Sequence, residues 1–190
     1  MYIRSIIIAA AVFLNKPEII SYIETNKTEG DVLKDIEKLI RVTSMVITEL
    51  ACMGIYALRT QTVTVKNGKV FYTALRSKPI NIFYFEDANG NRYDFKMGVE
   101  YVEVDERATS ITYAYAPTNE ELDSKILLSE VKLTDTILGM GVCAEYLLTL
   151  NDFDSAVYWH QKYVEQLESI INQPKIQELK NVQIKERSFS

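Results

Sequence analysis

The sequence predicts an α+β protein: a helical bundle with a small antiparallel β-sheet insertion and an extended C-terminal arm. Apolar residues recur at three- and four-residue spacing near both ends of the chain, which is the spacing of a one-sided helix. Between these regions apolar and polar residues alternate around turn signals, as they do in strands. The predicted parts are an N-terminal helical part of the bundle (1–60), the β insertion (61–117), C-terminal helices that complete the bundle (118–174) and the arm (175–190).

The chain begins with an apolar segment that ends near Leu14. A signal-peptide core has this character, but Asn15-Lys16-Pro17-Glu18 stands where a cleavage site needs small residues, and the run is too short for a membrane span. We therefore expect a short buried helix here. A second helix is expected to restart at Pro17, which fits the first turn of a helix.

A long helix is predicted to begin at Asp31, whose side chain is expected to cap it. Its apolar stripe continues as far as Leu58, which implies a length of about thirty residues, above the usual span of globular helices. Thr43-Ser44 and Gly54 are the expected points of bending.

The β insertion is predicted from alternation and turn residues. Asn67-Gly68 is the pair that a two-residue hairpin turn favours, and it separates two alternating runs, Gln61–Lys66 and Lys69–Thr73. The further predicted strands are Ile80–Phe85, Arg92–Met97, Val99–Val104 and Ser110–Tyr115. After them, Thr118 and Glu121 have capping-box spacing and predict another helix.

A helical hairpin is predicted to close the fold. In its first helix Val142, Cys143 and Tyr146 lie on one side, and Asp152 is placed to cap the second helix. The expected stripe of the second helix comprises Phe153, Ala156, Val157, His160, Tyr163, Val164, Leu167 and Ile171. A short connection makes the two helices neighbours, so we expect their stripes to bury each other.

The composition is that of an ordinary globular protein, with 47% apolar and 25% charged residues. A net charge of -5 disfavours a protein that grips nucleic acid or an anionic membrane. Cys52 and Cys143 lack the paired spacing of a zinc or redox site, and we expect two buried thiols in a reducing compartment.

Three groups of residues have a feature of a catalytic, cofactor-binding or metal site. Gly139–Ala144 has the form G-x-G-x-x-A, but a helical context instead of a strand-to-helix turn favours close helix packing over dinucleotide binding. His160, the only histidine, is expected to be a core or interface residue beside Trp159. The acidic residues at 100, 103, 105 and 106 lack calcium-loop spacing and indicate a solvated strand face. The sequence predicts no catalytic, cofactor-binding or metal-ligating residue and no cofactor.

The closing hairpin carries a specific pattern. Gly141-x-x-Ala144-Glu145-Tyr146 is followed, after a short turn, by an acidic residue, small and aliphatic residues, and then Trp159-x-x-x-Tyr163-x-x-x-Leu167. This pattern resembles the closing hairpin of head-to-tail connector (adaptor, neck) proteins of tailed bacteriophages. The motifs N-G-K-V-F-Y-T-A-L, D-A-N-G-N and T-Y-A-Y-A-P occur in the matching order, so the resemblance covers most of residues 30–190.

The resemblance implies a structural protein of the virion neck, made in the cytoplasm of the host bacterium. Identical subunits would form a ring, expected to be a dodecamer, between the portal protein and the tail or a second neck protein. DNA would pass through the lumen without sequence-specific binding, and no membrane would be involved. The chain ends in Ile184-Lys-Glu-Arg-Ser-Phe189-Ser, where the family pattern is more basic and often ends with Trp.

A ring subunit needs surface that is exposed in one copy and buried on assembly, and aromatic anchors tend to dominate such contacts. The predicted interface residues are Trp159, Tyr163, His160, Tyr113, Tyr115, Ile184 and Phe189. Two alternatives stay open on the sequence: a small soluble enzyme with a site between sheet and helices, and an interaction module that works as a monomer or dimer.

Overall fold

The structure is a computed structural model that describes residues 1–25, 31–118, 120–130 and 132–172. The described residues form five α-helices and two antiparallel sheets, which confirms the mixed α+β class. The arm predicted for 175–190 lies outside the described residues.

The helices come from both ends of the chain. They are α1 (Ile3–Phe13), α2 (Pro17–Thr25), α3 (Val32–Leu50), α4 (Asp135–Leu148) and α5 (Phe153–Ile171). The predicted buried first helix is confirmed, because Ile3, Ile6 and Ile7 of α1 have no exposed surface. α4 lies against α1, α3 and α5, and it is the central helix of the bundle. None of the helices in the described part of the chain combines the length and the apolar character needed to cross a bilayer.

The strands form two sheets. They are β1 (Ala57–Thr62), β2 (Lys69–Phe71), β3 (Pro79–Glu86), β4 (Arg92–Tyr93), β5 (Phe95–Met97), β6 (Tyr101–Val104), β7 (Ser110–Tyr115) and β8 (Leu127–Leu128). Over the described residues, the larger sheet has the order β4-β3-β7-β1-β8 and the smaller sheet β2-β6-β5. The rings of Phe85 in β3 and Phe95 in β5 lie 5.6 Å apart and link the two sheets.

The hairpin prediction at Asn67-Gly68 is right about the turn and wrong about the strands. Both residues have positive φ, 52° and 71°, and Lys66 and Lys69 exchange two backbone hydrogen bonds of 3.0 Å. The strands on either side nevertheless join different sheets, because β1 pairs with β7 and β8 whereas β2 pairs with β6. The predicted strand Arg92–Met97 divides in the same way into β4 and β5.

The long helix predicted from Asp31 to Leu58 is shorter in the structure. α3 ends at Leu50, a 3₁₀ turn follows, and Gly54 reverses the chain with φ 80°. Leu58 therefore lies in β1. Asp31 does not cap the helix through its side chain, which instead pairs with Lys34 at 2.9 Å.

The helix predicted from the capping box at Thr118 and Glu121 is also wrong. Residues 120–130 run as an irregular segment that contains β8. This segment makes backbone bonds to the start of α1, where the amide of Ile3 donates to Ser124 and the amide of Ile126 donates to Met1, both at 3.0 Å. Its polar backbone is therefore satisfied without helix formation. The next helix, α4, starts after the segment, with Thr134 as its cap.

Candidate assembly surface

The α4–α5 hairpin forms as predicted. Asn151 turns the chain with a positive φ of 61°. The carboxylate of Asp152 accepts a hydrogen bond of 3.3 Å from the amide of Ser155, which confirms the predicted N-cap. The two helices then run antiparallel and make the most extensive contact between any two helices in the described chain.

Glycines bring α4 close to its neighbours. A Cβ atom on Gly139 would lie 2.7 Å from the Cβ of Ala9 in α1, and a Cβ on Gly141 would lie 3.0 Å from the ring of Tyr163 in α5. The first distance is shorter than any that a real Cβ atom adopts, and the second is tight enough that the Tyr163 ring would have to shift. The interpretation of this stretch as a close helix contact is therefore confirmed.

One face of α5 packs against the bundle. Ala156, Tyr163 and Leu167 are buried there. Trp159 is half-buried, and its ring lies 4.5 Å from the ring of Phe13 at the end of α1. This contact extends the buried face from α4 to α1.

A second face of α5 is apolar and uncovered. Phe153 is 59% exposed, Val157 55% and Ile171 45%, and His160 on the same face is also exposed. With the half-buried Val164 these residues recur at helical spacing, so they form one strip along the helix, with two turns between Val164 and Ile171. We call this strip, comprising Phe153, Val157, His160, Val164 and Ile171, the α5 stripe. It corrects the expectation that the whole apolar side of α5 would be buried by α4.

The structure divides the predicted interface residues. Tyr113 has no exposed surface, Tyr115 is 3% exposed and Tyr163 is 6% exposed. An interface residue needs to be exposed in the single subunit, and these three tyrosines are not. Trp159 keeps part of its ring accessible, and His160 is an exposed residue of the α5 stripe instead of a core residue. Ile184 and Phe189 lie outside the described residues.

The buried strand tyrosines have internal partners. The hydroxyl of Tyr113 donates to the side-chain oxygen of Gln61 at 3.3 Å. The ring of Tyr115 lies under the guanidinium of Arg59 at 4.0 Å, and burial raises the pKa of its hydroxyl. Both tyrosines therefore make their contacts inside the subunit.

Phe153 and Val157 were not predicted to be surface residues, although the width of the apolar stripe in the sequence indicates it. The apolar stripe predicted for α5 includes adjacent pairs such as 156/157 and 163/164, and adjacent residues of a helix point about 100° apart. A stripe of this width exceeds what one antiparallel neighbour covers. The excess width is the sequence signature of the α5 stripe.

A polar cluster anchors α4 to the rest of the bundle. The hydroxyl of Tyr146 donates to Asp35 of α3 at 2.6 Å and accepts from the ammonium of Lys16 at 3.3 Å, and Lys16 also pairs with Asp35. Partial burial disfavours the charged carboxylate, but the hydrogen bonds from Lys16 and Tyr146 outweigh it, so the pKa of Asp35 lies below its usual value. The cluster holds three helix-forming segments together.

Two titratable groups beside the α5 stripe are partly removed from water. Burial, with the nearby carboxylates of Glu49 and Glu145, raises the pKa of the Tyr163 hydroxyl. Burial and Glu49 also raise the pKa of Glu145, against a smaller opposite effect of His160. The raised pKa values mean that the charged forms of both groups are less stable at the α4–α5 contact than in water.

The two cysteines differ. Cys143 is buried in α4, and burial raises the pKa of its thiol to about 12, so the thiol stays protonated. Cys52 is exposed, which corrects the expectation of a buried thiol there.

The acidic residues of the second sheet are exposed, as the solvated-face interpretation predicts. Glu103 pairs across the sheet with Lys69 and Lys96. Arg107 donates two hydrogen bonds of 2.8 and 2.9 Å to the carboxylate of Asp105, which lowers the pKa of Asp105 to about 2. In the part of the chain that the structure describes, no three His, Cys, Asp or Glu side chains are placed to hold a metal ion.

Comparisons with protein-family models and with curated proteins give no match to this chain.

Proposed function

We propose that this protein is a head-to-tail adaptor of a tailed bacteriophage, a structural subunit that assembles into a ring between the portal and the tail. The ordered motifs of the closing hairpin and of the β insertion support the family. In the proposed role the protein carries no catalytic site or cofactor, and DNA passes through the ring lumen without being read. The ring is proposed to be a dodecamer in the virion neck.

The single observation that carries the proposal is the α5 stripe. A large apolar patch on a surface marks an interaction site more reliably than scattered apolar residues do. Covering a Val, Ile or Phe side chain completely contributes about 1.5 to 3 kcal/mol. Phe153, Val157 and Ile171 are each about half exposed, so together they offer a partner roughly half of that free energy per residue, and the described part of the chain leaves it unused.

A closed ring needs two different patches on each subunit, because its contacts run head to tail. The α5 stripe is proposed as one patch. The half-buried Trp159 lies on the same helix beyond its buried face, on the side of α1, and is not part of the stripe. The net charge of -5 fits a lumen that does not retain DNA.

The test is a mass measurement of the purified protein, alone and mixed with the portal protein of the same phage genome. We expect a discrete oligomer, either from the protein alone or once the portal is added, and ring-shaped particles in negative-stain images. A chain that remains a monomer with and without the portal, or that is solitary in intact phage particles, contradicts the proposal. A stable dimer would favour the interaction module instead.

A further inference from the structure

A cleft opens at the end of the larger sheet where β3 begins. Its volume of about 680 Å³ falls within the range of binding clefts. Arg59, Arg76 and Lys78 line it, with Glu120 as the carboxylate among the lining residues. Three cations against one anion leave an excess of two positive charges, in a chain whose net charge is -5. We call this site the basic cleft.

Arg59 is held in a fixed position. Its guanidinium stacks on Tyr115 at 4.0 Å, donates to Ser77 at 2.6 Å and reaches Glu120 at 3.4 Å. Such an arginine is preorganised, so little entropy is lost when it binds a further anion.

The other two cations are not neutralised. Over the described residues, neither Arg76 nor Lys78 forms an ion pair. The backbone that carries them is nevertheless fixed, because Gln61 accepts from the amide of Arg76 and donates to the carbonyl of Ala74, both at 2.9 Å. The basic cleft therefore presents two exposed cations, unpaired among the described residues, next to the fixed Arg59, and this charge is available to an acidic ligand.

An open strand edge leads away from the basic cleft. On one side, β3 pairs with β7 along its length. On the other side, β4 pairs only with Phe85 and Glu86 of β3. Residues 79–84 thus have no neighbouring strand on that side among the residues that the structure describes. Ile80, which also lines the cleft, is 49% exposed and Phe83 is 39% exposed. An edge of this kind accepts an added strand, with main-chain hydrogen bonds for affinity and side-chain contacts for specificity.

We propose that the basic cleft and the open edge of β3 together bind an extended acidic segment of a partner protein. The segment adds as a strand beside residues 79–84 and places a carboxylate among Arg59, Arg76 and Lys78. Two register shifts interrupt β3, so the added strand pairs over a short stretch and the charge contact supplies much of the affinity. This inference does not depend on ring assembly.

Charge decides between the possible occupants. Residues 173–190 of this chain contain four basic side chains (Lys175, Lys180, Lys185, Arg187) and two acidic ones (Glu178, Glu186), the same sign as the cleft. They are therefore not the complementary occupant. DNA has the complementary charge, but its phosphates only accept hydrogen bonds, so they leave the carbonyls of a strand edge without donors.

The probe is a fluorescein-labelled ten-residue peptide of alternating Glu and Val, which in a strand places Glu on one face and Val on the other. Its binding is measured by fluorescence anisotropy at rising salt. We expect saturable binding that weakens with salt, and a loss of at least about ten-fold in affinity in the R76E/K78E variant. The matched control K66E/K125E changes the charge equally at two exposed lysines outside the cleft and should bind as the wild type does.

A second arm isolates the strand pairing without altering the protein. The same peptide with alternate amides N-methylated keeps its charge but loses donors for the edge, and should bind about ten-fold more weakly. The proposal is overturned if the acidic peptide does not bind saturably, if R76E/K78E binds it normally, or if N-methylation has no effect. Tighter binding of a DNA duplex at the same residues would also overturn it. None of these readouts measures oligomerisation, so failure here is distinct from failure of the adaptor proposal.

Discussion

α4 and α5 belong to one hairpin, yet the single chain covers them very differently. α4 has three helical neighbours and buries seven of its 14 residues, whereas α5 buries three of its 19. A peripheral helix needs an apolar stripe only on the side that faces its neighbour. α5 has that stripe and a second one that faces water. The difference separates residues that the fold requires from residues that an assembly would require.

The core role of α4 is tested most severely at its closest contact. Gly139→Val places a branched side chain where a single Cβ already lies 2.7 Å from Ala9, so α1 and α4 must separate. We expect a loss of about 3 kcal/mol in the free energy of unfolding, measured with urea. Thr136→Val, at an exposed position of the same helix, is the matched control and should change little. A loss below about 1 kcal/mol for Gly139→Val would show that α4 is less tightly enclosed than the contact implies.

The assembly role of α5 is tested by a charge on its uncovered face. Val157→Glu should leave the stability of the subunit within about 0.5 kcal/mol of the wild type, because the site is exposed. Association should weaken by about a hundred-fold, since each contact would bury an unpaired carboxylate. Sedimentation over a concentration series, with the portal where assembly needs it, measures both the state and the affinity.

The control for this variant lies on the same helix. Gln166 is exposed and nine residues from Val157, which places it on the opposite side of α5. Gln166→Glu adds the same charge and should assemble normally. If both variants assemble like the wild type, the α5 stripe is not a subunit contact and the contrast with α4 has another cause.

The contrast also shows what the sequence could predict. The apolar spacing predicted α1, α2, α4 and α5, and residue type predicted the Asp152 cap, because each depends on residues close together in the chain. The close helix packing at Gly139 and Gly141 was predicted without its partners, Ala9 and Tyr163. Spacing predicts which side of an element is apolar. It does not predict how many neighbours cover that side, so Tyr163 and Val157 were placed in one stripe although one is buried and the other exposed.

The same limit explains the errors in the β insertion. The Asn67-Gly68 turn forms from local preference, but the partner of β1 is β7, whose residues lie about fifty positions further along. Likewise, the capping-box residues Thr118 and Glu121 precede a segment whose backbone carbonyls and amides bond to the start of α1. In both places long-range pairing outweighs a local signal, and no local pattern contains that information.

A smaller effect tests how α4 is anchored. Tyr146→Phe keeps the ring and removes the hydroxyl that donates to Asp35 and accepts from Lys16. We expect a loss of about 2 kcal/mol in unfolding free energy, because the lost bond involves a charged acceptor. Tyr158→Phe on α5 is the control, since its ring is 53% exposed and its loss should be negligible. Equal effects of the two substitutions would contradict the different roles of the helices.

The smallest expected effect is the pH dependence of the same cluster. The folded pKa of Asp35 lies below 3.8, so its charged form stabilises the fold above that value and the contribution is lost as the pH falls through the folded pKa. Asp35→Asn should therefore be less stable than the wild type by about 1 kcal/mol at neutral pH, and the two urea-unfolding curves should converge in acid.

Asp31→Asn is the control for this comparison, because Asp31 pairs with Lys34 on the exposed end of α3, where water screens the charges. It should follow the wild type at every pH. Asp87 and Asp105, whose pKa values are lowered to about 2 by hydrogen bonds from Asn91 and Arg107, are present in all three proteins. Their acid titration affects the unfolding free energy of all three proteins equally. The difference in unfolding free energy between wild type and Asp35→Asn therefore depends on Asp35 alone. If the difference in unfolding free energy between Asp35→Asn and the wild type instead stays constant at low pH, the charge of the carboxylate does not contribute. Its effect would then come from its shape and hydrogen bonds.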